Sequence, residues 1–298
     1  MFQYQRKERN SAFFRGGVCT CLISCIFLFV GCSKVDSIGS YADDVNVNDS
    51  NSVTLNSFQL RGLISHRGYA VENPENTMSA FRASVEHGYK AIETDINISK
   101  DGVPVCMHDI TLERTTDGTG ELTEYTLEEL KELDAGSYYG MQFEGEEIPT
   151  LEEFLLLCKE NNTYAELDLV REPIFYADNL QKVYEVVKKT DMIDKTIFTI
   201  SSVQLSDLVS LDTHLNICYA SLINENEMKE ALKYIELCDT MIASIPYGYY
   251  TEDFASKLHD NHFMIKVWTV DDVELVQSYF DDGVEMVITN SILPDDVS

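Results

Sequence analysis

Basic residues are scarce in this chain. Lysine and arginine number 22 among 298 residues, against 51 aspartates and glutamates, and the formal net charge is −29. This balance excludes a nucleic-acid binder, which needs a positively charged surface, and docking on anionic lipid through a basic cluster. The eight cysteines form no Cys-x-x-Cys or Cys-x-x-His pair, which argues against a zinc site. Hydrophobic residues, at 44%, suffice for a sizeable core.

An uncharged stretch, residues 16–31, follows four basic residues at the N-terminus. It is short for a membrane span, which takes about 20 apolar residues, and it fits the pattern of an export signal. Its end, Leu-Phe-Val-Gly-Cys at 28–32, resembles the cleavage box of bacterial lipoproteins. We therefore expect residues 1–31 to be removed and Cys32 to carry a lipid that anchors the protein on the outer face of the cytoplasmic membrane.

Two alternatives remain at this end of the chain. The segment ending at Cys25 fits the box better by residue type, but only nine residues separate Arg15 from Cys25. An uncleaved anchor helix would give the same topology. Residues 32–60 then predict a flexible tether, because serine, asparagine and aspartate fill 14 of positions 33–60. A flexible chain of this length reaches roughly 30 Å on average.

From residue 61 onward, apolar strand candidates alternate with amphipathic helical stretches. The nine candidates are 62–66, 90–96, 103–107, 163–169, 195–200, 215–220, 240–245, 263–269 and 284–289. The main helical stretches are 76–87, 151–160, 176–189, 204–211, 227–237, 252–259 and 273–280. This alternation predicts parallel strands with helical crossovers. Residues 61–298 also match the length of a (β/α)8 TIM barrel, typically about 250 residues.

The nine strand candidates are one more than the eight strands of such a barrel. The gap before the third candidate is too short for a crossover helix, and it contains the hairpin signal Asp101-Gly102. We therefore predict that this strand runs antiparallel to the second. A turn centred on 101–102 places Asp95 opposite His108, and a turn centred on 100–101 places Glu93 there.

The second strand carries two acids, Glu93 and Asp95, whose side chains leave the same face. Their apolar flanks predict a central strand and not a solvent-facing edge. Two carboxylates inside a barrel mouth repel each other unless a cation lies between them. A hard divalent cation with oxygen ligands fits this position, and the next barrel strand offers further acids at Glu166 and Asp168.

His66 ends the first strand and is followed by Arg67. With His108 brought near the same acids, two imidazoles can divide acid and base roles near neutral pH. The guanidinium of Arg67 offers planar donors suited to phosphate. These residues together predict metal-assisted phosphoryl chemistry.

Several short motifs then follow in order along about residues 61–298. They are His-Arg-Gly at 66–68, Pro-Glu-Asn-Thr at 74–77, Glu-Thr-Asp at 93–95, His-Asp at 108–109, Leu-Glu-Arg-Thr-Thr at 112–116, Ile-Pro-Thr-Leu at 148–151 and Trp-Thr-Val at 268–270. The set resembles the glycerophosphodiester phosphodiesterase family. The resemblance implies a TIM barrel with a small insertion over its mouth, residues 109–150. It also implies hydrolysis of glycerophosphodiesters to glycerol 3-phosphate and an alcohol.

The resemblance implies a role for each matching residue. His66 and His108 correspond to the acid–base pair, and Arg67 to a phosphate contact. The implied ligands of one divalent cation, Ca²⁺ or Mg²⁺, are Glu93, Asp95 and Glu166. In the mechanism implied for the family, a glycerol hydroxyl attacks phosphorus while the metal neutralises the developing charge and the histidines move the protons.

The chain departs from the family pattern in three places. Asp168 replaces a usual lysine, Asn290 a usual aspartate and Ser202 a usual aromatic residue. Lys266 lies two residues before Trp268 on the same strand face. We expect both to line the mouth and contact substrate, with Lys266 paired to Asp168 or Glu166 and restoring the missing cation. Alternatively, Lys266 faces a helix and extends to solvent.

Two functions therefore remain open. The first is a surface-tethered phosphodiesterase acting on glycerophosphodiesters from lipid headgroups or from polymers such as teichoic acids. The second is a catalytically weak lipoprotein that binds phosphodiester or polyol-phosphate ligands, because Asp168 impairs turnover. A related lysophospholipid or sphingolipid phosphodiesterase is a subsidiary alternative, and the intact motifs at 74–77 and 268–270 favour the ordinary family activity.

Overall fold

The computed structural model describes residues 58–171 and 177–297. The predicted export signal, most of the tether and both candidate lipidation sites, Cys32 and Cys25, lie outside these residues. Within the described ranges, no helix has the length and apolarity needed to cross a membrane.

The described residues form one nine-stranded sheet. Its strands are β1 (Gly62–Ser65), β2 (Ala91–Ile98), β3 (Pro104–Cys106), β4 (Tyr164–Asp168), β5 (Thr196–Ile200), β6 (Asn216–Tyr219), β7 (Thr240–Pro246), β8 (Met264–Trp268) and β9 (Met286–Thr289). All except β3 are parallel to their neighbours, and the ring closes because β1 pairs with both β2 and β9. The predicted (β/α)8 barrel is confirmed.

Helices follow the strands around the barrel. They are α1 (Met78–Glu86), α2 (Leu127–Leu130), α3 (Leu151–Glu160), α4 (Ala177–Lys189), α5 (Leu205–Leu211), α6 (Glu225–Ala231), α7 (Glu252–Asp260) and α8 (Val273–Asp281). Several begin at a capping side chain, as α3 does at Thr150, which accepts a hydrogen bond from Glu153 N. Helix α1 begins later than predicted because Asn76 has a left-handed φ of 56° and Thr77 provides the cap.

Strand β3 runs antiparallel to β2, as predicted, but both predicted registers are wrong. Asn97 pairs with Val105, so that His108 is opposite neither Glu93 nor Asp95 in this register. The loop has three residues, with Gly102 in the left-handed region at a φ of 84°. A three-residue loop with glycine at its left-handed position is a common alternative to the two-residue turn.

The strand register separates the inner and outer faces of the barrel. Ile64, Ala91, Ile197, Cys218, Ile242, Met286 and Ile288 belong to one apolar cluster, and the register places them on one face of neighbouring strands. Phe58 and Leu60, which precede β1, join this inner cluster. The larger cluster packs the other face of the sheet against the helices. Glu93, Asp95 and Lys266 therefore project inward.

Residues 109–150 connect β3 to α3 and include α2. A small core of their own, with Leu112, Leu122, Leu130 and Ile148, packs on Val105 and Met107 of the hairpin. The backbone N–H of Glu75 donates to the hydroxyl of Tyr138 at 3.1 Å. This bond joins the segment to the loop between β1 and α1.

Candidate active site

Parallel pairing gathers polar side chains at one end of the barrel. Glu93 on β2 lies beside Glu166 on β4, and Asp95 lies beside Asp168 at the carboxyl ends of the same strands. In this fold, active sites are built at that end. A cavity of about 220 Å³ opens there, and its polar lining includes His66, Arg67, Glu93, Asp95, Glu166, Asp168, Arg171, Lys266 and Trp268.

Three carboxylates face one another in this cavity. Glu93, Asp95 and Asp168 each place one oxygen within 4.8 Å of the others. Burial and the nearby charges of Asp95 and Asp168 raise the pKa of Glu93 well above its ordinary value. Burial and Asp95 likewise raise the pKa of Asp168. Three carboxylate oxygens held this close, two of them from groups with raised pKa values, fit a hard divalent cation.

Glu166, the predicted third metal ligand, has another partner. Its Oε1 contacts Nζ of Lys266 and accepts a hydrogen bond from Thr199 Oγ1 at 2.7 Å. Asp168, and not Glu166, lies in the group of close oxygens with Glu93 and Asp95, and the predicted ligand role of Glu166 stays a prediction. The other oxygen of Glu166 is buried and has no hydrogen-bond partner among the described residues, so that it remains available as a further donor.

Lys266 points into the barrel and pairs with an acid, as the strand alternation predicts. Burial alone would lower its pKa, but contacts with Cys218 and Glu166 raise the pKa above the ordinary value. Its side chain is only 1% exposed. Lys266 therefore neutralises Glu166 inside the barrel, and its predicted contact with substrate stays a prediction.

Asn290 fixes the orientation of His66. The Nδ2 of Asn290 donates to Asp271 Oδ2 at 2.7 Å, which turns the amide oxygen toward the imidazole. His66 Nδ1 lies 2.7 Å from that oxygen and must donate to it. Burial lowers the pKa of His66 below its ordinary value. The ring is therefore neutral near pH 7, with Nε2 available to accept a proton.

His108 lines a smaller neighbouring cavity together with Glu75 and Asn76. Its Nδ1 lies 2.5 Å from Asp109 Oδ1. Arg114 Nε donates to Asp109 Oδ2 at 2.6 Å, and this bond holds the pKa of Asp109 below its ordinary range. Asp109 is therefore a carboxylate that orients His108 and leaves its Nε2 for chemistry.

Sequence reasoning missed the residues that hold the acids in place. Asn76 Nδ2 donates to Asp95 Oδ2 at 2.9 Å, while its Oδ1 accepts from Thr94 Oγ1 at 2.8 Å. Glu75 bridges Arg67 and Arg114, at 2.7 and 2.8 Å. The Pro-Glu-Asn-Thr motif marked this position, but its spacing alone does not indicate which strand the side chains reach.

Two guanidinium groups contact Asp95. Arg67 Nε lies 3.2 Å from Asp95 Oδ2, and Arg171 Nη1 donates to Asp95 Oδ1 at 2.6 Å. Arg171 stands three residues after Asp168, just beyond β4. No sequence pattern pointed to Arg171.

The fold and this polar centre define an enzyme of the (β/α)8 barrel class. Residues 66–293 match the model of the "Glycerophosphoryl diester phosphodiesterase family", and the chain belongs to that family.

Individual relatives agree with this assignment. A glycerophosphodiester phosphodiesterase of Caldanaerobacter subterraneus subsp. tengcongensis is 30% identical over 232 residues, which cover 76% of this chain and 93% of that protein. Human glycerophosphodiester phosphodiesterase 1 is 37% identical over 123 residues, covering 41% of this chain and 37% of that protein. The solved structure of an Oleispira antarctica phosphodiesterase, in complex with the product sn-glycerol-3-phosphate, has a TM-score of 0.72 and 27% identity. That match covers 80% of this chain and 95% of the other.

Proposed function

We propose that this protein hydrolyses glycerophosphodiesters to glycerol 3-phosphate and an alcohol, using one divalent cation, Ca²⁺ or Mg²⁺. The observation that carries the proposal is the meeting of Glu93, Asp95 and Asp168 in the cavity that His66 also lines. Membership of the family and the similar phosphodiesterase with glycerol-3-phosphate as its product support the substrate class.

The carboxylates Glu93, Asp95 and Asp168 would hold the cation, with Glu166 Oε2 as a further donor. When bound, the cation neutralises negative charge that develops on the phosphodiester. This use for Asp168 and membership of the family support the phosphodiesterase over the catalytically weak binding protein.

The two histidines would move the protons. Nε2 of neutral His66 takes the proton from the glycerol hydroxyl that attacks phosphorus. His108, whose Nδ1 contacts the carboxylate of Asp109, donates a proton to the leaving alkoxide and releases the alcohol. The resulting cyclic phosphate is opened by water, with the two proton transfers reversed, to give glycerol 3-phosphate.

The experiment is an assay of the purified full chain for release of glycerol 3-phosphate. Glycerophosphocholine, glycerophosphoethanolamine and glycerophosphoglycerol serve as substrates, each with Ca²⁺ or Mg²⁺. We expect turnover of at least one substrate, and a loss on the order of 10²–10⁴ in His66→Ala and in His108→Ala. The exposed histidine variant His214→Ala is the matched control. Absence of turnover on all three substrates would contradict the proposal.

We also propose that the mature chain begins at Cys32 and is tethered by a lipid to the outer face of the membrane. The basic and apolar segments and the cysteine box of the sequence support this location.

A further inference from the structure

A cavity that binds a phosphodiester needs positive charge within reach of its ligand. The acids of this cavity, Glu93, Asp95 and Asp168, repel an anion unless cations offset them. Among the described residues of its lining, three are cationic: Arg67, Arg171 and Lys266. These three side chains differ in exposure and in the number of carboxylates they contact.

Two of the cations are largely committed to acids. Lys266 is 1% exposed and contacts Glu166. Arg67 contacts both Glu75 at 2.7 Å and Asp95 at 3.2 Å, and its side chain is 18% exposed. Lys266 cannot turn toward a ligand without leaving Glu166 without a cationic partner, and Arg67 would have to release two carboxylates to do so.

Arg171 is the most accessible of the three. Its side chain is 34% exposed, and Asp95 is the one carboxylate with which it pairs in the described part of the chain. The backbone just before Arg171 is held in place, because Asp168 Oδ1 accepts a hydrogen bond from Val170 N at 3.0 Å. A planar guanidinium can donate two parallel hydrogen bonds to a phosphate.

We propose that Arg171 binds the phosphate group of substrate and product, and supplies the positive charge that Asp168 removes from β4. The inference rests on the proposed function, because that function places a phosphodiester in this cavity. It also makes Asp95 a shared partner, which Arg171 contacts when no phosphate is bound. The competing role for Arg171 is positioning alone, in which it only orients Asp95.

The test is calorimetric titration of the full chain with glycerol 3-phosphate, with inorganic phosphate and, separately, with Ca²⁺. Arg171→Gln is compared with Arg171→Lys and with the control Arg61→Gln, which removes an exposed arginine paired with Glu285. A charge-assisted hydrogen bond contributes about 1.5–3 kcal/mol, or about 10-fold or more in affinity. We expect Arg171→Gln to lose that factor for both phosphates, Arg171→Lys to lose less, and Arg61→Gln to stay within about twofold of the parent. In steady-state assays, KM should rise more than kcat falls.

Two results would overturn the inference. One is phosphate affinity of Arg171→Gln equal to that of Arg61→Gln. The other is a loss of Ca²⁺ affinity larger than the loss of phosphate affinity, which would assign Arg171 to positioning Asp95. The titration measures binding and does not require turnover. If phosphate binding depends on Arg171 but the chain hydrolyses no glycerophosphodiester, the proposed function is rejected and the inference about Arg171 stands.

Discussion

At the scale of single residues, the two histidines differ in the group that holds Nδ1. His66 donates to the neutral amide of Asn290, and His108 contacts the carboxylate of Asp109. A carboxylate stabilises the positive imidazolium more than an amide does. This difference favours His66 as the base and His108 as the acid in the first step.

The acid limb of the pH–rate profile tests the state of His66. Because burial lowers its pKa, the limb of kcat/KM in the parent protein should have its midpoint below the ordinary value of 6.5. The hydrogen bond to Asn290 supports the protonated ring, so that Asn290→Ala should move the midpoint lower still. Loss of the fixed tautomer should cost on the order of tenfold in rate. The exposed variant Asn161→Asp is the control, and a midpoint that does not move in Asn290→Ala would contradict the assignment.

The raised pKa of Glu93 should make the stability of the metal-free protein depend on pH. The pKa of Glu93 in the folded state lies above the ordinary 4.5, so that the folded chain keeps a proton that the unfolded chain releases. Stability should therefore fall as pH rises from about 4.5 toward the raised pKa.

Glu93→Gln removes this penalty, and the metal-free variant should melt higher than the parent at pH 7 while losing turnover. A gain of about 1 kcal/mol corresponds to 2–4 °C in a domain of this size. Thermal melts after chelation measure the effect, with Glu86→Gln on the exposed face of α1 as the control. A lower melting temperature for Glu93→Gln would count against the buried charge cluster.

At the scale of elements, an ion pair across the barrel joins β4 to β8. Lys266 and Glu166 are both about 1% exposed, and removing one partner leaves the other charge buried. Lys266→Met should therefore cost on the order of 3–5 kcal/mol in the free energy of unfolding. Adding Glu166→Gln should recover most of the loss. Denaturant unfolding of the two single variants and the double variant gives the coupling, and additive losses would show that the pair does not interact.

The order of elements could be predicted from the sequence because strand and helix periods alternate clearly after residue 61. Side-chain alternation on β8 placed Lys266 on the same face as Trp268 but left the inward and the solvent-facing alternatives open, and the contact with Glu166 decides for the first. The register of the β2–β3 hairpin could not be predicted from the sequence, because it depends on whether Gly102 takes a left-handed conformation within a three-residue loop. A change of one residue in that loop alters every pairing.

The sequence predicted which types of residue form the candidate site better than it predicted which of them contact one another. Glu93 and Asp95 belong to the acid cluster as predicted, whereas the choice between Glu166 and Asp168 depends on which one Lys266 reaches across the barrel. Arg171 could not be predicted as a site residue because it belongs to no periodic pattern or motif. Its importance arises only from its distance to Asp95.

At the scale of the whole molecule, the strong negative charge and the N-terminal sequence support our proposal that a lipid, and not basic residues, holds the protein at a surface. We expect intact-mass analysis of membrane-extracted protein to find a mature chain that begins at Cys32 and carries acyl groups. Cys32→Ser should release the protein or leave it unprocessed, and Cys25→Ser is the matched control. A mature chain beginning at Cys25, or a soluble chain without lipid, would overturn this assignment.

The central claim is that the acids at the barrel mouth hold a divalent cation needed for phosphodiester hydrolysis. The most direct measurement follows glycerol 3-phosphate release by the purified protein before chelation, after exhaustive chelation, and after addition of Ca²⁺ or Mg²⁺, with elemental analysis at each stage. We expect turnover to disappear with the metal and to return with one bound ion per chain, and to return poorly in Asp168→Asn. Full turnover after chelation, with no metal detected, would contradict the claim.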